Sequence, residues 1–136
     1  MPRRPLPSAK ETPATMKQKI LVVDDEQALT GFLSELLQGR GYQVAAVNDS
    51  QEALSIYLDD PDAIDLVISD QTMPKMTGLE LSRALLQVRP ELPIILCSGY
   101  SDELTEESIR DTGIRKFFPK PLETKTLTEA VAKILR

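Results

Sequence analysis

A chain of 136 residues with 41% apolar and 27% charged content fits one globular domain with its own core, and its apolar runs, no longer than five residues, exclude a membrane span. Its charge is uneven: residues 1–19 hold five Lys/Arg against Glu11, net +4, so with a total of −5 residues 20–136 carry −9, a body that repels nucleic acid. The single cysteine, Cys97, excludes an internal disulfide and fits a reducing compartment, and the lack of histidine excludes a His base, ligand or phosphodonor.

In chain order, residues 1–17 come first. Pro2, Pro5, Pro7 and Pro13 stand among small polar residues, a composition that predicts a flexible arm or linker ahead of a folded domain at 18–136. The arm's basic residues are too few and scattered for a nucleic-acid arm, and no apolar stretch behind them makes a secretory signal. Residues 20–24 (ILVVD) read as a strand. Leu29, Phe32, Leu33 and Leu36 then recur at i, i+3, i+4 and i+7, the stripe of a helix that Gly39 and Gly41 end. A second strand is predicted at 42–47, followed by a helix over 50–60 with Ala53, Leu54, Tyr57 and Leu58 inside and Pro61 as its stop. A third strand at 64–69 precedes a helix marked by Leu81, Ala84, Leu85 and Val88, which Pro90 ends. The fourth strand is read at 93–97. Segment 102–112 offers only Leu104 and Ile109 as apolar anchors, so a helix there is expected to be short and loosely docked. A fifth strand at 115–118 and a helix carrying Leu127, Ala130, Val131 and Ile134 complete the chain.

Strands alternating with helices predict an α/β fold with a parallel sheet covered on both faces. The first, third and fourth strands are nearly all apolar, as central strands are. Gln43 in the second, and Arg115 and Lys116 in the fifth, suit sheet edges. This distribution favours a flavodoxin-like (βα)5 doubly wound five-stranded parallel sheet in the order 2-1-3-4-5 over the Rossmann order.

Such sheets bind ligands beyond the carboxyl ends of their strands. There the chain carries Asp24 and Asp25 after the first strand, Asp70 after the third, Ser98 after the fourth and Lys120 after the fifth. Three close carboxylates repel one another unless a cation sits among them, and Mg²⁺, a hard ion with oxygen ligands, is the expected one. A metal, a lysine and a hydroxyl around one carboxylate make a phosphoryl-transfer site with Asp70 as the nucleophile. Singly, each residue has a plainer reading. Asp25 could cap a helix starting near Glu26, Asp70 could form a turn ahead of Pro74 and Gly78, Ser98 and Gly99 could make a turn, and Lys120 could be a solvated charge. Their joint placement at four strand ends favours the site.

Four stretches, KILVVDDE (19–26), LVISDQTMPKMTGLEL (66–81), ILCSGY (95–100) and FFPKPL (117–122), resemble the response-regulator receiver domains of two-component signalling, over about residues 18–136. The resemblance implies that Asp70 accepts a phosphoryl group from a phosphohistidine on a sensor histidine kinase or histidine phosphotransfer protein. It implies Mg²⁺ held directly by Asp25, by Asp24 largely through water, by Asp70 and by the backbone carbonyl of Thr72. Ser98 matches the Thr/Ser switch position, with the small Gly99 after it. Lys120 matches the family's lysine, and Lys120–Pro121 a bond usually cis there. Phe117 matches the aromatic switch, here without a phenol hydroxyl; its plainer reading is a strand hydrophobe, with Phe118 as the core member. Cys97 is expected in the core.

The resemblance further implies a cytoplasmic protein that catalyses only its own phosphorylation and dephosphorylation. It would switch the face made by 102–112, the fifth strand and the last helix toward a downstream protein partner. Tyr100 is expected to shield the phosphoryl group from water. LCSGYSDE and DQTMPKMTG are similar to receivers of hybrid sensor kinases, whereas Met1 suits a stand-alone regulator, and the two stay open. With no helix-turn-helix, cyclase or methylesterase after residue 136, output is expected through protein contact or relay. The main alternative is an interaction adaptor that is never phosphorylated. A haloacid-dehalogenase-type phosphatase wants a second aspartate where Thr72 stands, and an FMN carrier wants a phosphate loop where DDEQ (24–27) stands.

Overall fold

Among the described residues five strands, β1 (Lys19–Val23), β2 (Gln43–Val47), β3 (Leu66–Asp70), β4 (Ile94–Ser98) and β5 (Lys116–Pro119), alternate with five α-helices. These are α1 (Gln27–Gln38), α2 (Ser50–Asp59), α3 (Gly78–Val88), α4 (Glu106–Thr112) and α5 (Thr124–Leu135), with a 3₁₀ turn at Pro61–Ala63. The computed structural model describes residues 18–99 and 105–136. The proline-rich arm, Tyr100 and Leu104 therefore lie outside the described residues.

All four strand pairings are parallel and the order is β2-β1-β3-β4-β5, as the apolar content of the strands predicts. Every residue of β3 and β4 is buried, which follows from helices covering both faces. Alternate residues feed two cores. Leu21, Val23, Val67, Ile94 and Leu96 pack with Ala53, Tyr57, Leu81 and Leu85 from α2 and α3. Ile20, Val22, Ile68, Ile95 and Cys97 pack with Leu33 and Leu37 of α1 and Leu127 and Val131 of α5. The two neighbours Phe117 and Phe118 divide between these cores, each half-buried, as the period-2 geometry of a strand requires.

Local chemistry sets the helix starts. The Asp49 carboxylate accepts from the Gln51 and Glu52 amides at the head of α2, and these bonds hold its pKa below the usual carboxylate range. Thr77 and Glu80 form a reciprocal capping box on α3.

Three details depart from the periodicity. Phe32, Leu58 and Val88 sit on predicted stripes but are 51%, 51% and 45% exposed. In α1 the buried positions are Thr30, Leu33 and Leu37. Thr30 is admitted to the interior because its Oγ1 accepts a hydrogen bond from Asn48 Nδ2 at 2.9 Å, and that rotation turns Phe32 outward. β3 begins at Leu66 rather than 64 and carries Asp70 as its last residue, while β5 is displaced one residue toward the C-terminus. α4 is short, as expected, and buries none of its residues.

Candidate functional site

Strand register brings the chemistry to one edge. Val23 lies opposite Ser69, Asp70 opposite Cys97, and Ser98 opposite Pro119. The residues that follow or end these strands are therefore level. Asp24 and Asp70 are 3% and 5% exposed, and Lys120 joins them: its Nζ lies 2.9 Å from Asp24 Oδ2 and 3.1 Å from Asp70 Oδ1. Glu26 Oε1 stands 3.8 Å from the same ammonium. Asp25 is exposed beside them. Carboxylate oxygens of Asp24, Asp25 and Asp70 lie within 4.8 Å of one another.

The backbone is pinned around this cluster. Asp24 Oδ1 accepts from the Glu26 amide at 2.9 Å, and the Asp24 carbonyl accepts from Asn48 Nδ2 at 2.8 Å. The Lys120 amide donates to the Ser98 carbonyl at 2.9 Å, tying the loop after β5 to the end of β4. The Lys120–Pro121 bond is cis. Ser98 is buried and its Oγ donates to the Gly99 carbonyl at 3.0 Å. Thr72 is exposed in the loop after β3. Phe117 lies on β5, its ring against the core shared with α2 and α3.

Electrostatics follow from burial and crowding. Burial, then the Asp24 charge, pushes the Asp70 carboxyl above the ordinary range, and Lys120 offsets this only in part. Burial pulls the Lys120 ammonium down, but its bonds to Asp24 and Asp70 and their charges prevail, and it is held above the usual lysine value. Burial also pushes the Cys97 thiol up to about 12, so it stays protonated among apolar neighbours. Four carboxylates against one ammonium leave net negative charge, and the donors are all hard oxygens. That set fits a divalent hard cation such as Mg²⁺ better than a soft or nitrogen-seeking metal.

Asp24, Asp25, Asp70 and Lys120 thus come together as the sequence predicts. Asp25 does not cap α1: the N-cap position is Glu26, with no side-chain cap bond, and it is Asp24 that accepts the nearby amide. Several contributors escaped the sequence reading. Gly78 is where α3 approaches the site, for a Cβ there would lie 2.3 Å from the Asp70 carbonyl oxygen. Gln71 binds α3 to the same place, its Oε1 accepting from the Leu79 amide at 2.8 Å. Asn48 and Glu26 complete the cluster. Glu26 adjoins the acidic pair and was legible as a neighbour; Asn48, 24 positions from Asp24, carries no local signal.

Fold and site define a doubly wound parallel α/β domain with an acidic, lysine-bridged cluster at the carboxyl edge of its sheet. The family model for the response regulator receiver domain matches residues 20–132, and the chain belongs to that family. It is 36% identical over 118 residues to the transcriptional regulatory protein CpxR of Escherichia coli K12, covering 87% of this chain and 49% of that protein. The receiver domain of the hybrid histidine kinase CckA is 34% identical with a TM-score of 0.72, over 87% of this chain and 99% of that one. A receiver domain from Clostridium thermocellum superposes with a TM-score of 0.81 at 29% identity, over 86% and 93% of the two chains. The chain spans about half or less of the length of the curated relatives it matches.

Proposed function

We propose that this receiver domain is a phosphoacceptor in a two-component phosphorelay, with Asp70 taking a phosphoryl group from a phosphohistidine on a sensor histidine kinase or histidine phosphotransfer protein. The observation that carries the reading is the buried Asp70 carboxylate, bridged by Lys120 Nζ to Asp24 at the carboxyl edge of the sheet. An Asp70 carboxylate oxygen attacks phosphorus in line. A P–O bond forms as the P–N bond to the donor imidazole breaks, and the leaving imidazole keeps that electron pair. Asp24, Asp25, Asp70 and the Thr72 carbonyl are the groups that would hold Mg²⁺. When bound, that ion supplies positive charge to the transferring phosphoryl oxygens.

Lys120 shares its protons between two carboxylates before transfer. Once Asp70 is phosphorylated its carboxylate charge is gone, and the ammonium turns to a phosphoryl oxygen instead. The Ser98 hydroxyl donates to another, drawing the loop after β4 inward, and Phe117 repacks in the vacated space. The sparsely anchored α4 then shifts against β5 and α5, presenting an altered face to a downstream protein partner. The domain catalyses only its own phosphorylation and dephosphorylation. We place it in the cytoplasm, where a buried reduced cysteine is at home; among the described residues no helix is long and apolar enough to cross a membrane.

Intact-protein mass spectrometry after incubation with Mg²⁺ and acetyl phosphate tests this. One adduct of about 80 Da is expected, absent without Mg²⁺ and absent in Asp70→Ala. If no adduct forms and beryllofluoride does not bind, the phosphoacceptor reading is lost and the domain is an interaction adaptor.

A further inference from the structure

We propose that Asn48 is a positioning residue for the cation-binding pair: it holds the peptide plane that joins Asp24 to Asp25, and so sets how their two carboxylates stand to each other. This deepens the phosphoacceptor reading and rests on its Mg²⁺ site. Asn48 follows the last residue of β2, where β1 and β2 stop in register at Val23 and Val47. One further rung forms, the Asp24 amide donating to the Val47 carbonyl at 3.2 Å. In a continued parallel ladder the Asp24 carbonyl would accept next from the amide of residue 49. The chain turns aside there into α2, with Asp49 as its N-cap. The Asn48 side chain supplies the donor instead, its Nδ2 lying 2.8 Å from the Asp24 carbonyl oxygen. The end of β2 thus grips Asp24 by both its amide and its carbonyl.

A peptide unit is planar, so pinning the Asp24 carbonyl also fixes the Asp25 amide and the direction in which the chain leaves Asp24. The Asp24 carboxylate depends on that direction. Its Oδ1 accepts from the Glu26 amide at 2.9 Å, and its Oδ2 faces Lys120 Nζ at 2.9 Å. Asp25, one residue on, is exposed and keeps an oxygen within 4.8 Å of those of Asp24 and Asp70. The other hydrogen of the Asn48 amide anchors the side chain itself. It goes to Thr30 Oγ1 at 2.9 Å, and that hydroxyl in turn donates to the Gln27 carbonyl at 3.1 Å. Both partners of Asn48 therefore need a donor, which its NH₂ group provides and an aspartate of the same shape does not. Exposed residues ordinarily tolerate replacement. Asn48 is exposed, yet it carries a bond on which the geometry of two carboxylates depends.

Mg²⁺ binding to the full chain, followed through the amide shifts of 24–26 and Gln71, tests this. Without the Asn48 amide the competent arrangement of the pair is only partly populated, and the apparent dissociation constant rises by the reciprocal of that fraction. In Asn48→Ala the rise is expected to be about three- to tenfold, the worth of one hydrogen bond. Asn48→Asp separates geometry from charge. Its added negative charge alone would tighten Mg²⁺ binding, whereas loss of the donor is expected to weaken it. Unchanged binding in Asn48→Ala, or tighter binding in Asn48→Asp, would overturn the proposal. Thr30→Val is the control for a merely structural role. It removes the buried partner of Asn48 and is expected to lower the urea midpoint, but the Asp24 carbonyl keeps its donor, so Mg²⁺ affinity should stay within about twofold of wild type. An equal loss of affinity in Thr30→Val and Asn48→Ala would mean general loosening and overturn the proposal. With acetyl phosphate, Asn48→Ala is expected to form adduct more slowly at limiting Mg²⁺ and at the wild-type rate at saturating Mg²⁺; a deficit that persists at saturation counts against the positioning role. Wild-type protein that binds Mg²⁺ but forms no adduct loses the phosphoacceptor reading, and the binding series still decides Asn48. Wild-type protein without Mg²⁺-dependent shifts overturns the proposal itself.

Discussion

Asp70 carries its charge where burial and the neighbouring Asp24 both disfavour it, and Lys120 makes up only part of the difference. A carboxyl whose folded pKa is raised costs stability above that pKa and stops costing it below the unfolded value. Asp70→Asn is therefore expected to raise the thermal midpoint at neutral pH in the absence of Mg²⁺. The gain should shrink as pH falls through the raised Asp70 pKa, because the wild-type carboxyl is then neutral as well; paired thermal scans from neutral to acid pH check this. Gly78 is a second single-residue constraint. Because an added Cβ would meet the Asp70 carbonyl oxygen at 2.3 Å and Leu96 Cδ1 at 2.7 Å, Gly78→Ala must displace α3 or the end of β3. Overpacking of this kind costs about 1–3 kcal/mol, expected in urea denaturation, with slower adduct formation because Asp70 moves too. The sequence marked Gly78 only as a turn residue. Its real constraint is a distance between two backbones, which no local pattern encodes.

At the scale of elements, the helices differ in how they are held. α3 buries Leu79, Leu81 and Leu85, closes its first turn with a capping box, and receives the buried Tyr57 hydroxyl on the Leu85 carbonyl at 3.3 Å. α4 has a capping box at Thr105 and Ser108 and a left-handed Gly113 at its end, but it buries no side chain. Caps define the limits of a helix; buried apolar area holds it to the sheet. Backbone amides of Glu106–Thr112 are accordingly expected to exchange with solvent at least tenfold faster than those of α3, since each 1.4 kcal/mol of local stability is a factor of ten. Equal protection in a hydrogen-exchange series would show that α4 is not the loosely docked element. This weakness was legible in the sparse apolar residues of 102–112. The outward turn of Phe32 was not, because it depends on Asn48 making Thr30 acceptable inside.

Across the whole molecule, the Asp70 cluster and α4 meet through two neighbouring strand ends. The Lys120 amide is bonded to the Ser98 carbonyl, so a pull on Ser98 reaches the loop after β5 directly. Beryllofluoride with Mg²⁺ is expected to shift amide resonances across β4, α4, β5 and the start of α5. The amides of α2, on the far side of the sheet from β5, should stay in place. Amides of 98–99 and 105–120 left unchanged by bound beryllofluoride would exclude the proposed switch. The phosphorylated state is favoured only as far as the phosphoryl group binds the two arrangements unequally, so the size of those shifts also reports the bias.

Alternating apolar runs and helical stripes determined the element order by themselves, because strand and helix periods are local properties of a chain. The central or edge place of each strand followed from how apolar it is, since only edges meet water. The placement of the acidic pair, Asp70, Ser98 and Lys120 at one edge was likewise legible, because a parallel sheet delivers the residues that end or follow its strands to the same side. Only the tertiary structure decided how those groups share charge. Lys120 lies 2.9 Å from Asp24 and 3.1 Å from Asp70 across 96 and 50 residues of chain, a separation over which sequence spacing sets no distance. The same holds for Asn48 behind Asp24 and for Gly78 against Asp70. Each is a contact between elements, and strand register and helix rotation settle it once the cores have packed.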